Sequence, residues 1–350
     1  RAILNFNDSS TFFKKGIALT PVKFGISFTA TWFNQAGALV HIYTDGSIYL
    51  NHGGTEMGQG LNTKVASVVA EEFGLSISKI KISAADTSKV PNTSATAASS
   101  GSDLNGMAAL NAVKTLKARL ADVLVKSYNA DKKTIRYEDG NVLFNKKKIP
   151  FTALIKNAYE QRVQLSSTGF YKTPKIHWNR QKGKGRPFYY FSYGVSVSEV
   201  IVDTLTGEFQ VERVDILQDV GSSLNRNIDL GQIEGGFIQG MGWLTTEELV
   251  WNDEGKLLTH APSTYKIPLA SDRPKIFNIY LAEWSKNKER TIKRSKAVGE
   301  PPLMLAISVH EAIGMAVAAC GSRKTRPSLN SPATPENILQ IITELRKQNN

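Results

Sequence analysis

The 350-residue sequence has a single cysteine, Cys320, set inside an apolar run. A disulfide framework is therefore excluded. An iron–sulfur cluster held by this chain is excluded too, since a cluster takes several thiolates. The five histidines, His41, His52, His177, His260 and His310, lack the spacing of a metal site. They read as structural or surface residues. No signal peptide is visible, which points to the cytoplasm. The most apolar stretch, 303–320, contains His310 and Glu311. It reads as a buried helix and not as a membrane span. The chain starts with Arg1 in sequence that looks mid-domain, so a fragment of a longer protein is expected.

Basic residues are in excess, with 43 Lys and Arg against 31 acids and a net charge of +12. Much of the excess lies in "NKKKIP" at 145–150, "NRQKGKGRP" at 179–187 and "KNKERTIKRSK" at 286–296. Such clusters read as solvated faces, or as attractors of an anionic substrate or nucleic acid. No nucleic-acid motif accompanies them, so the solvated face is preferred and no nucleic-acid partner is expected. A basic scaffold without catalysis is the reading from another functional class.

Residues 24–51 read as strands, with "TDGS" as a hairpin turn. "TKVASVVAEEFG" follows at helical spacing and stops at Gly74, and "SKIKISAAD" is a short strand. "KVPNTSATAASSGSDLNG" reads as loop, and "MAALNAVKTLKARLADVLVKSY" as a long amphipathic helix. A hairpin and a short helix near 151–160 complete the first half. From 190 onwards the order recurs: strands around "TLTGE", the loop "SSLNRNID", then the glycine-rich helix "LGQIEGGFIQGMGWLTTEEL". The recurrence hints at a duplicated unit. The pattern predicts a mixed α/β, or α+β, protein of two subdomains, 1–165 and 166–350, each a β-sheet flanked by helices.

Three small-residue elements stand out. "GGTEMGQG", Gly53 to Gly60, precedes a helix, where free backbone N–H groups could cradle an anion. "SATAASSGSDLNG", Ser94 to Gly106, again runs ahead of a helix, and "GGFIQGMG", Gly235 to Gly242, encloses Gln239. Each alone reads as a tight turn or as close helix packing. Together they suggest a bulky, polar, anionic cofactor held largely by backbone. A lone acid, Glu300, stands between Gly299 and two prolines in "KAVGEPPLML". The plain reading is a helix start, which suits both the prolines and the carboxylate.

"FGISFTATWFNQAGALVHIYTDGS", "GGTEMGQGLNTK", "PNTSATAASSGSDLNG", "GFYKTP", "DVGSSLN", "GQIEGGFIQGMG", "PSTYKIP" and "KAVGEPPLMLA" occur in that order from Phe24 to Cys320. Together they resemble the molybdenum-binding domain of the xanthine dehydrogenase and aldehyde oxidase family. "GFYKTP" and "KFGISFT" lean to the xanthine dehydrogenase branch.

The resemblance implies molybdopterin as cofactor, with no protein side chain bound to the metal. It implies two cofactor-binding subdomains, hydroxylation of hypoxanthine or xanthine with water-derived oxygen, and Glu300 as the base. Gln59 and Gly58, then Ala98, Ser99 and Ser100, and further on Gln239 and Gly299 correspond to cofactor contacts. Phe28, Thr29, Ala97 and Ala98 correspond to the substrate pocket. The resemblance covers only the C-terminal part of the family's molybdenum domain. The other part of the site, with the acid and arginine that orient purines, and the Fe–S and FAD regions are expected elsewhere. The fragment alone is expected to be inactive, and a dimer or heteromer is expected by family analogy. Trp32 stands where a smaller residue is expected. An aldehyde oxidase or another molybdenum hydroxylase is the neighbouring reading.

Overall fold

A computed structural model describes residues 1–89, 93–322 and 327–349. Two hydrophobic cores, each under its own four-stranded sheet, organise the chain. The first sheet runs Ile80–Ile82, Ile48–His52, Gln35–Ile42, Ser166–Lys172. The second runs Phe13–Ile26, Tyr190–Asp203, Phe209–Gln218, Ile276–Leu281.

The two sheets are built alike. In the first, Gln35–Ile42 pairs antiparallel with Ile48–His52, the helix Leu61–Glu72 crosses over, and Ile80–Ile82 joins in parallel. In the second, Tyr190–Asp203 pairs antiparallel with Phe209–Gln218, the helix Arg226–Thr245 crosses over, and Ile276–Leu281 joins in parallel. Both hairpin turns use an aspartate and a glycine. Asp45 accepts from the Ser47 N–H beside Gly46 at φ 79°, and Asp203 accepts from the Leu205 N–H ahead of Gly207 at φ 78°. Positive φ there suits glycine, which has no Cβ to clash. A second helix then covers each sheet: Gly101–Tyr128 over the first, and Ile307–Ala318, following the short helix Pro301–Leu305, over the second.

Strand pairing runs across the linear cut at 165. Ser166–Lys172 is an edge strand of the first sheet, against Gln35–Ile42. Phe13–Ile26 is an edge strand of the second, against Tyr190–Asp203. Each half thus lends an edge strand to the other. Both lent strands carry a glycine against a helix backbone. A Cβ on Gly169 would overlap the Ala108 carbonyl oxygen, and a Cβ on Gly16 would overlap that of Ala312. Only a residue without a Cβ lets strand and helix approach so closely.

Other expectations shift by part of an element. The helix expected from Met107 starts at Gly101, so Ser102 to Gly106 are helical. Val90, Pro91 and Asn92 of the expected loop lie outside the described residues. Helices Ala2–Ser9 and Pro335–Asn349, and the strand at 13–23, were not among the expected elements. Pro301–Ala318 is long and apolar enough to cross a membrane, but most of it is buried. Val309, Ala312, Ile313, Ala316 and Val317 pack into the second core.

Candidate active site

The two halves meet at a cavity of about 370 Å³. Three segments form most of its wall: the loop before helix Leu61–Glu72, the turn into helix Gly101–Tyr128, and Ser295 to Glu300. Gln59, Ala97, Ser99, Gly299 and Glu300, from three separate sequence motifs, all line it.

Glu300 sits at the start of helix Pro301–Leu305, with prolines in its first turn, as the plain reading requires. Its side chain does not cap that helix. One carboxylate oxygen, Oε2, instead accepts from Ser99 Oγ at 2.6 Å, and the Glu300 N–H donates to the same Ser99 oxygen at 2.9 Å. The acid is thereby joined to a residue 201 positions earlier in the chain. Ser99 and its neighbour Ala98 hold φ of 52° and 53°. Non-glycine residues enter that region at a cost, and such strain persists where the surroundings over-determine it. Here it turns the Ser99 hydroxyl onto Glu300. A Cβ on Gly299 would meet Ser99 Oγ at 3.4 Å, an ordinary contact, so Gly299 answers to no clash among the described residues.

The glycine loop behaves differently from the expectation of an open N–H cradle. Glu56 takes the backbone N–H groups of Gly58, Gly60 and Asn62 at 2.9, 3.0 and 2.9 Å. Burial raises the Glu56 carboxyl, but these three donors outweigh it and leave it below the ordinary value. The anion at this helix start is therefore the protein's own. Gln59 donates to the Thr55 carbonyl at 2.8 Å and accepts from the Met57 N–H at 2.5 Å, which holds its carboxamide at the cavity wall. Gly58 has φ 97°, and nothing among the described residues lies within 4 Å of a Cβ built on it.

The remaining expected residues do not line this cavity. Ser100 is buried, and its hydroxyl turns back to the Ala97 carbonyl at 3.1 Å. Phe28 is half-buried, edge-on to Phe33 at 5.5 Å, and its backbone is clasped by Asn34; Thr29 is exposed beside it. Trp32 is exposed, under the Arg180 guanidinium at 5.8 Å. Gln239 is exposed on helix Arg226–Thr245. That helix explains the glycines of "GGFIQGMG". A Cβ on Gly240 would overlap the Leu303 carbonyl oxygen, and one on Gly236 would meet Pro302 at 3.1 Å, so this side packs against the Glu300 helix. A Cβ on Gly231 or Gly235 meets nothing within 4 Å among the described residues. At helical spacing those two glycines and Gln239 share one face, open to a flat ligand.

Four charged residues were missed by sequence reasoning. Lys64 and Asp229 form a buried ion pair at 2.6 Å that joins the two crossover helices at the cavity wall. Ser223 Oγ donates to the other Asp229 oxygen at 2.5 Å. Lys64 was detectable, because it occupies the apolar stripe of Leu61, Val65 and Val68, where a lysine must find a partner. Asp103, in the first turn of its helix, is buried at the cavity and accepts from the Tyr190 hydroxyl at 2.6 Å. Burial pushes its carboxyl up to about 7, against Tyr190 and the Lys64 charge, which pull it down. Glu56 is the fourth.

A family model described as the molybdopterin cofactor-binding domain matches residues 1–274. The chain belongs to the molybdopterin cofactor-binding domain family. Within this domain, Gln59, Ser99, Gln239 and the open helix face fit a large polar cofactor, while the described residues include no cluster of three metal-ligating side chains. The domain is 48% identical to xanthine dehydrogenase/oxidase of Gallus gallus over 97% of its length, and 45% identical to xanthine dehydrogenase of Oryza sativa subsp. japonica, also over 97%. It spans 24% of the length of each. Its fold matches a Cu,Mo-CO dehydrogenase with a TM-score of 0.83 at 18% identity, covering 98% of this chain and 42% of the other. An aldehyde oxidoreductase from Desulfovibrio desulfuricans matches with a TM-score of 0.74 at 23% identity, over 97% and 33%.

Proposed function

We propose that this molybdopterin-binding domain forms one side of the active site of a xanthine dehydrogenase, and that Glu300 is the base of the reaction. One observation carries the reading: the Glu300 carboxylate is held at the cavity by Ser99, across the junction of the two halves. The relatives' names supply xanthine as the substrate, and hypoxanthine is proposed beside it. The cofactor, when bound, supplies the two-electron oxidation of the substrate carbon.

The chain's own residues do the rest. Glu300 takes the proton released as water-derived oxygen is transferred, and one fixed carboxylate oxygen gives the other a defined aim. Ser99 keeps that aim through two hydrogen bonds. Gln59, Gly58, the Ala97 to Ser100 turn, Gln239 and Gly299 hold the cofactor, and the Phe28 ring with Thr29 packs beside the substrate ring. The other wall of the site, the Fe–S and flavin groups that carry electrons away, and a dimeric or heteromeric assembly belong to the rest of the enzyme. The chain alone is inactive.

The test is molybdenum and pterin content, with xanthine-dependent dye reduction, measured on this chain alone and on the complete protein. Metal and turnover in the complete protein only are expected. Molybdenum without xanthine turnover would move the substrate to another hydroxylase class. No molybdenum in either, with cofactor biosynthesis intact, would overturn the reading.

A further inference from the structure

We propose that Asp103 and Tyr190 are positioning residues that hold the backbone of the Glu300 segment, so that one turn-and-helix unit clamps that segment at both ends. The proposal rests, for its catalytic consequence, on the reading of Glu300 as the base.

The geometry is a closed circuit. The Tyr190 hydroxyl donates to Asp103 Oδ2 at 2.6 Å and accepts from the Ala297 N–H at 2.9 Å. Three residues on, the Glu300 N–H is held by Ser99. Ser99 and Asp103 lie four residues apart, on the turn and first turn of one helix. The same helix start therefore grips the segment directly at Glu300 and, through Tyr190, at Ala297. Just ahead of Ala297, the Lys296 N–H is fixed to the Val220 carbonyl at 2.7 Å.

The pair is built for this. Tyr190 is 6% exposed and packs with Ile26 and Tyr189, so its ring cannot swing aside. Its hydroxyl has both roles filled, and a hydroxyl that donates to a carboxylate becomes a better acceptor for the amide. Removing the hydroxyl would leave the half-buried Ala297 N–H without this acceptor and the buried Asp103 without its donor. The segment it fixes runs directly into the cavity wall, where Val298, Gly299 and Glu300 follow.

The experiment compares Tyr190→Phe, Asp103→Ala, Asp103→Asn and Glu300→Gln in the complete enzyme. Amide hydrogen exchange across 295–300 and molybdenum content are read beside kcat and KM. For Tyr190→Phe, molybdenum is retained, exchange across the segment rises about tenfold, and kcat falls about tenfold with KM within about twofold, the pattern of an interaction that serves the transition state. Asp103→Ala loosens the segment as well. Asp103→Asn keeps an acceptor for the hydroxyl and restores exchange close to that of the native enzyme. Unchanged exchange in Tyr190→Phe, or equal exchange in the Asp103→Ala and Asp103→Asn proteins, would overturn the positioning role. If Tyr190→Phe does not fold, the contrast between the two Asp103 variants decides. Failure of the base reading shows separately, as turnover retained in molybdenum-loaded Glu300→Gln whatever the exchange result.

Discussion

The two halves of the chain share a scaffold and differ in what they place at one point of it. In each, a hairpin, a crossover helix, a parallel strand and a covering helix follow in the same order, with an edge strand taken from the other half. Ahead of the covering helix the first half presents Ser99, in a strained left-handed turn, and the second presents Glu300, at the start of the short helix Pro301–Leu305 that leads into it. These two residues touch. The crossover helices likewise meet through unlike residues, Lys64 and Asp229. A fold repeated in both halves thus becomes a site where they diverge: at these two contacts the first half gives a hydroxyl or an ammonium and the second a carboxylate.

The comparison can be broken first at the lent strands. Gly16→Ala and Gly169→Ala each drive a methyl into a helix carbonyl and should cost about 3 kcal/mol, the top of the usual overpacking range, because backbone cannot yield easily. Urea denaturation of both proteins checks this, and closely similar losses would establish the equivalence of the halves. Lys64→Ala leaves Asp229 buried with Ser223 as its remaining donor and should cost roughly 3 kcal/mol in the same assay. Ser99→Ala frees the Glu300 carboxylate, so kcat of the complete enzyme should drop about tenfold, or about 1.4 kcal/mol.

A pH-graded effect comes from Asp103. Its carboxyl is raised from 3.8 to about 7 in the fold, so its contribution is fullest below pH 3.8 and is lost as pH rises to about 7. The stability of Asp103→Asn relative to the native protein should therefore increase between those limits, as followed by thermal melts in a pH series. The smallest effect is expected at Gly231, on the open helix face. Gly231→Ala should stabilise the isolated chain by about 0.5–1 kcal/mol, since alanine is the better helix former and nothing obstructs its methyl.

Local signals were legible in the sequence and long-range ones were not. "TDGS" and "TLTGE" mark turns because aspartate and glycine meet a local need, and the hairpins form there. Glu300 was visible because glycine and proline isolate it. The lent strands were not, because periodicity gives a strand its inner face and leaves its neighbour open. The loop "GGTEMGQG" was misjudged because Glu56 was left out of account, and it occupies the N–H groups that glycine frees. In "GGFIQGMG" the same residue type does two jobs, since Gly236 and Gly240 allow packing while Gly235 faces open space. Asp103 and Tyr190 lie 87 positions apart and become partners only once the halves are joined.

The most direct measurement is turnover of Glu300→Gln in the complete enzyme at matched molybdenum content. Glutamine keeps the shape and can accept from Ser99, but it cannot take the proton. A loss of about a thousandfold in kcat with molybdenum still bound is expected. Native turnover in the fully loaded variant would contradict the assignment of Glu300 as the base.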